Sequence, residues 1–422
     1  MKVLIISYYW PPSGGSGVQR WMYFAKYLKE FGVEPIVITV DEKHASYPSK
    51  DVSLNKQVEN IEVYKTKTFE LIRFYSFLKS GNSKKSIPQG NVGNAKKTFF
   101  DKIATRIRAN YFIPDARIGW NHYAFKQAKE IIEKQNIDVV ITTGPPHSTH
   151  LVGLKIKEKY KIKWIADFRD PWTEIYYNDI FKRTKKNTEK DKNLELAVLN
   201  SCDLVLTIGP SMKELLAKKV NVNKIDFVYN GFDENLLNHV KVQKNEKFVL
   251  SYVGLLTSNY PYKSLIQALE KLENQSLILQ LTGKIDQIII DEFSKLKHVE
   301  VIVNGIKSHQ EAFNVMYNSD LNILLLPYQK DSKIMITGKV FEYLAVNKPI
   351  LCIGAKDSDA VQIIKEESKI SACFEKDEIH QIIQFIETKI QNNYSIEIGS
   401  NAKYSRKNLT QELLKIIEEV NK

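Results

Sequence analysis

Short apolar runs rich in Val and Ile alternate along the chain with segments whose apolar residues recur at helical spacing. That alternation is the pattern of parallel sheets flanked by helices. In the first half it predicts strands at residues 3–7, 35–40, 61–65, 138–143, 163–167 and 204–208, with helices such as 18–31 and 123–135 between them. The second half repeats the pattern at 248–254, 277–282, 299–303, 322–326 and 349–353. Two such series argue for two doubly wound sheets. The length of 422 residues agrees, because a single core rarely grows that large. The turn Asn230-Gly231-Phe232-Asp233 and the polar stretch that follows place the join there, giving expected domains 1–235 and 236–404 and a closing segment 405–422.

Inside the first domain, residues 79–97 are rich in Gly, Asn, Ser and Lys and read as a mobile inserted loop. Next comes 96–112, where Phe99, Phe100, Ile103 and Ile107 share a helical stripe and Lys102, Arg106 and Arg108 fall mostly off it. A basic amphipathic helix of this kind suits an anionic membrane surface; the same stripe also suits packing on the domain with its bases solvated.

Composition changes the picture only at the margins. Three cysteines far apart (Cys202, Cys352, Cys373) form neither a disulfide framework nor a metal knot, which points to a reducing cytoplasm. The opening residues run directly into a strand without the longer apolar core of a signal peptide, and no stretch approaches the roughly 20 apolar residues that span a bilayer. The expected location is the cytoplasm, with the inner face of the cell membrane as a peripheral site. A net charge of +12 calls for phosphorylated substrates or anionic lipid, or is the ordinary surface of a lysine-rich chain. Nucleic acid is not expected, because no recognition motif accompanies the charge.

Chemistry concentrates at strand ends. After the first strand, Gly14-Gly15-Ser16-Gly17 would let backbone N–H groups approach an anion at the next helix N-terminus, although a tight turn needs the same glycines. The spacing is not that of a dinucleotide site. The fourth strand ends at Gly144-Pro145-Pro146-His147, the fifth at Asp167-Phe168-Arg169-Asp170, and both ends point towards a ligand crevice. Two carboxylates and a guanidinium so close must pair with one another or touch substrate. The fullest constellation is Thr337-Gly338-Lys339-Val340-Phe341-Glu342. Thr337 would cap a helix whose first N–H groups face an anion, and Lys339 would add positive charge for a diphosphate. Glu342, one turn further, would accept hydrogen bonds from both hydroxyls of a ribose. A capping box is the alternative reading of the same residues.

Taken with Ala166–Trp172, Tyr229–Asp233, Tyr252-Val253-Gly254 and Gly338–Ala345, these motifs resemble the bacterial retaining glycosyltransferases of family 4, over nearly the whole chain. The resemblance implies an α/β fold of the GT-B kind, with two facing Rossmann-like domains, a cleft between them and a last helix returning to the first domain. It implies an NDP-sugar donor held by Gly15, Gly17, Gly254, Lys263, Gly338, Lys339 and Glu342. The saccharide or lipid-linked saccharide acceptor would lie near His147, Arg169 and Asp170, and neither metal ion nor cofactor is expected. Asp170, Arg169 and Lys339 are the expected catalytic residues. The sequence departs from the family pattern in two places: Ile334 replaces an acidic residue near the sugar, and Leu255 replaces an arginine. A sugar-nucleotide epimerase of the same architecture and a non-catalytic NDP-sugar-binding protein are the alternatives.

Overall fold

The computed structural model describes residues 1–47, 49–70, 109–175, 178, 183–272, 276–391 and 401–422. The expected loop at 79–97 and nearly all of the basic helix at 96–112 lie outside them.

Strand pairing forms two sheets, each wholly parallel. The first contains β1 (Lys2–Ile6), β2 (Glu34–Val40), β3 (Glu62–Thr66), β4 (Val139–Gly144), β5 (Lys163–Phe168), β6 (Leu204–Thr207) and β7 (Ile225–Phe227), in the order β3-β2-β1-β4-β5-β6-β7. The second contains β8 (Phe248–Val253), β9 (Leu277–Thr282), β10 (Val299–Gly305), β11 (Leu321–Leu325), β12 (Ile350–Ile353) and β13 (Ala372–Phe374), in the order β10-β9-β8-β11-β12-β13. Parallel strands covered on both faces need continuous apolar runs, and Val3 to Ile6 on β1 are fully buried for that reason. In the second sheet, Leu250, Leu279, Ile323 and Leu351 meet Phe293 and Ile382 from the covering helices in one apolar cluster. The two strands that apolar patterning did not predict, β7 and β13, are three residues long, too short to show a period.

The chain divides into two compact units, residues 1–229 with 409–422, and residues 230–408. The division falls before the Asn230–Asp233 turn rather than at 235, and backbone hydrogen bonding explains why. Phe232 N–H donates to the Tyr404 carbonyl at 3.1 Å and Arg406 N–H to the Phe232 carbonyl at 2.9 Å, so the turn is stitched to the end of the second unit. Helix Arg406–Asn421 begins there, and from Leu409 its residues belong to the first unit. Among the described residues no helix is long and apolar enough to cross a membrane.

Candidate active site

In the second sheet the chain builds outward from β8 through β9 to β10, then returns to the other side of β8 to lay down β11. The β8/β11 border is therefore a topological switch point, where open α/β sheets leave a crevice beyond the strand ends. Their register pairs Ser251 with Asn322 and Tyr252 with Ile323, and Ser251 Oγ donates to Asn322 Oδ1 at 2.9 Å. Just past β8, Gly254 has φ +126°, and Gly283, past β9, has φ +119°. A Cβ at Gly283 would stand 2.2 Å from the Gly254 carbonyl oxygen, so the two backbones approach as only glycine permits.

Helix Gly338–Val346 follows β11, and its residues from Val340 onward are buried. Tyr343 Oη donates to the Ile323 carbonyl at 3.1 Å and fastens the helix to β11. Thr337 occupies the N-cap position with extended backbone, yet its side chain does not cap the helix as expected. The Val340 N–H, which a cap would take, donates instead to the Thr337 carbonyl at 3.1 Å. Thr337 Oγ1 is left buried without a hydrogen-bond partner, and the capping-box reading falls with it. A Cβ built on Gly338 would meet nothing within 4 Å. Open space thus lies beside Gly338, at the positive end of the helix.

Lys339 adds its charge at that end. Its Nζ lies 4.5 Å from the Tyr252 ring centroid and donates to the Tyr252 hydroxyl at 3.3 Å. The same Nζ would stand 2.9 Å from a Cβ on Gly254, so the lysine covers the end of β8 directly. Burial brings the Lys339 pKa down to about 8, against the charge of Glu342. Glu342 is 9% exposed and, rather than being wholly open to a ribose, has Oε1 engaged by His309 Nε2 at 2.7 Å. Burial works to lower the His309 pKa, but the hydrogen bond and charge of Glu342 prevail and raise it. Sequence reasoning missed His309, which stands 33 residues from Glu342 in no motif. The one available signal was Ser308-x-x-Glu311, a capping box that sets His309 at the start of helix His309–Asn318. Lys263 is exposed in the first turn of helix Tyr262–Glu270, the crossover that follows β8. Leu255, at the place of the absent arginine, is 43% exposed, and Ile334 ends the short turn Ser332–Ile334.

The first unit has its own switch point, between β1 and β4. There Arg169, expected at an acceptor wall, donates from Nε to the Gly144 carbonyl at 3.2 Å and from its two terminal nitrogens to the Gly17 and Pro145 carbonyls. Its hydrogen-bonding role is to clasp the glycine turn after β1 to the end of β4. A Cβ on Gly17 would fall 2.7 Å from Arg169 Nη1 and displace that guanidinium, and Gly15 has φ +97°. The backbone conformation thus requires glycine at 15, whereas at 17 the constraint comes from the Arg169 side chain. Asp167 pairs not with Arg169 but with Arg20, at 3.0 Å, and also accepts from Trp21 Nε1 at 2.6 Å and Thr143 Oγ1 at 2.7 Å. Asp170 is exposed. His147 stacks on Trp172 with ring centroids 5.2 Å apart, and burial, helped by His150 and Arg169, drives its pKa well below the ordinary histidine value. Among the described residues no group of three or more His, Cys, Asp or Glu side chains is placed to hold a metal ion.

Residues 90–236 match the model of Glycosyltransferase Family 4. The fold is similar end to end to a glycosyltransferase from Rickettsia africae ESF-5, at 15% identity and TM-score 0.59, covering 100% of this chain and 98% of that one. It is similar also to S. aureus TarM, solved as a G117R mutant with fondaparinux, α-GlcNAc-glycerol and UDP, at 11% identity and TM-score 0.60 over 99% of both chains. A putative UDP-N-acetylglucosamine 2-epimerase from Listeria monocytogenes shares the architecture at 12% identity and TM-score 0.53, covering 99% of this chain and 96% of that one. No curated protein matches the chain in sequence. The architecture is GT-B, and the sequence likeness to Glycosyltransferase Family 4 covers residues 90–236.

Proposed function

We propose that the chain transfers a hexose-type sugar from an NDP-sugar to an acceptor hydroxyl with retention of the anomeric configuration. The observation that carries this reading is the convergence, at the β8/β11 switch point, of an uncapped helix N-terminus, the Lys339 ammonium and the Glu342 carboxylate. The first two suit a diphosphate and the third a ribose. Lys263 begins the crossover helix from β8 to β9, and Lys339 the one from β11 to β12. Because these crossovers run in opposite directions, right-handed connection sets the helices on opposite faces of the sheet, and the lysines flank its switch point. The UDP in the TarM structure supports a nucleoside diphosphate leaving group, and its α-GlcNAc-glycerol supports a saccharide acceptor.

In the proposed reaction the bond from C1 of the sugar to the diphosphate breaks while the acceptor oxygen bonds to C1 on the same face. The acceptor proton passes to an oxygen of the departing diphosphate. Negative charge grows on that diphosphate, so Lys339, Lys263 and the Gly338 N–H stabilise the transition state more than the ground state. Within the first unit, Asp170 remains the proposed acceptor-side residue, with Arg169 acting by holding Gly17. A lipid-linked saccharide of envelope polysaccharide or glycolipid synthesis, met at the cytoplasmic membrane face, is the proposed acceptor class, supported by the net charge of +12.

The Listeria epimerase likeness favours a second reading, since the fold serves both chemistries. Incubation with a panel of NDP-sugars and saccharide acceptors separates the outcomes. The proposal requires free NDP with a glycosylated acceptor; an epimerised donor, or binding without turnover, would replace it.

A further inference from the structure

The His309–Glu342 contact lies outside everything the motifs foretold. Glu342 projects from a helix whose residues from Val340 onward are all buried, so its carboxylate needs a partner to offset lost hydration. Lys339 stands one turn back on the same helix, but its Nζ is directed to Tyr252 and the end of β8. The partner comes instead from a second helix. There the reciprocal Ser308–Glu311 box fixes the first turn, buried Phe313 and Met316 anchor the next, and Gln310 Nε2 donates to the Leu236 carbonyl at 3.1 Å. His309 is therefore held on its own scaffold and reaches Glu342 with a single 2.7 Å hydrogen bond. The charged groups acting on its ring are Glu342, Arg406 and Asp233.

We infer that His309 is a positioning residue for nucleotide recognition. It fixes the Glu342 carboxylate so that its remaining acceptor sites meet the ribose hydroxyls, and it thereby sets a preference for ribo- over 2′-deoxyribonucleoside diphosphates. This rests on the nucleoside diphosphate reading above. The physical reason is the freedom of the group it restrains. The terminal torsion of a glutamate is broad, so an unrestrained carboxylate spreads over many orientations. One of them turns back towards Lys339, whose pKa Glu342 already raises, and there it would neutralise the charge meant for the diphosphate. A hydrogen bond to a charged group from a fixed donor removes both alternatives.

The test uses the full-length chain and calorimetric titration with UDP, GDP and ADP, each beside its 2′-deoxy analogue. Wild-type protein is expected to bind one ribonucleotide about tenfold or more tightly than its deoxy form. His309→Ala should lose about tenfold in affinity for the ribonucleotide while its affinity for the deoxy form changes by less than about threefold, so that the preference collapses. His309→Gln, which keeps a donor, should recover part of the preference, and thermal melts without nucleotide check that both variants fold. A merely structural role would weaken both nucleotides equally or neither, and an unchanged ribo-to-deoxy ratio in His309→Ala overturns the inference while leaving nucleotide binding intact. Wild-type protein that binds without discrimination also overturns it. If wild-type protein binds none of the six, the nucleoside diphosphate reading fails and the inference falls with it.

Discussion

At Lys339 the local environment converts a common surface residue into one whose charge responds to pH. Burial against Tyr252 and Gly254 brings its pKa to about 8, so the free protein carries the ammonium below that pH and loses it above. An anion binds the charged form better, and nucleotide affinity should therefore fall as pH rises from 7 to 10, by about tenfold in total as the ammonium is lost. Titrations across that range check this, and Lys339→Met should be both about tenfold weaker at pH 7 and flatter with pH. The first unit offers a contrast in what a charged motif can mean. Asp167, Arg169 and Asp170 read in sequence as a cluster that pairs within itself or touches substrate, whereas Asp167 forms a fully buried ion pair with Arg20. Asp167→Ala leaves the Arg20 guanidinium buried without its carboxylate and should cost about 3–5 kcal/mol in chemical denaturation. The sequence held no sign of this pairing, because the partners are 147 positions apart. Lys339 and Glu342 were legible, being neighbours on one helix turn, whereas His309 was not.

Two helices of the second unit begin in opposite ways. Helix His309–Asn318 opens with a complete capping box, while helix Gly338–Val346 opens on a threonine that withholds its side chain. Ser308→Ala should therefore cost about 1 kcal/mol of stability, and Thr337→Ala less than about 0.5 kcal/mol. Equal losses would mean that Thr337 does cap its helix and that the open N-terminus is not left to a ligand. The glycines at the strand ends carry the other constraint at this scale. Gly283→Ala would drive a Cβ into the Gly254 carbonyl at 2.2 Å with φ at +119°, and it should unfold the end of β8 at a cost of several kcal/mol. Most strands were readable from apolar runs to within a residue or two, since buried parallel strands are uniformly apolar. The short edges β7 and β13 were not, because three residues carry no pattern.

Over the whole molecule, the two series of strands in the sequence correspond to two separate parallel sheets, so the α/β architecture was visible before any contact was known. The division between units was harder to place. It depends on hydrogen bonds joining Phe232 to Tyr404 and Arg406, contacts between residues more than 170 positions apart that no local signal reveals. The excess of positive charge belongs to this scale too. If it serves an anionic surface, the protein should sediment with vesicles containing phosphatidylserine at about 0.1 M salt and be released at about 1 M, where screening shortens from about 10 Å to about 3 Å. Retention by neutral vesicles alone would point away from charge. Thermal unfolding with a panel of nucleoside diphosphates tests the proposed grip on a nucleoside diphosphate in the second unit. At a concentration 100-fold above Kd, at least one of them should raise the apparent stability by about 2.7 kcal/mol. That gain should disappear when Lys339 and Glu342 are both replaced by Ala. No shift with any nucleotide, or an equal shift in the double variant, would contradict the assignment of this site.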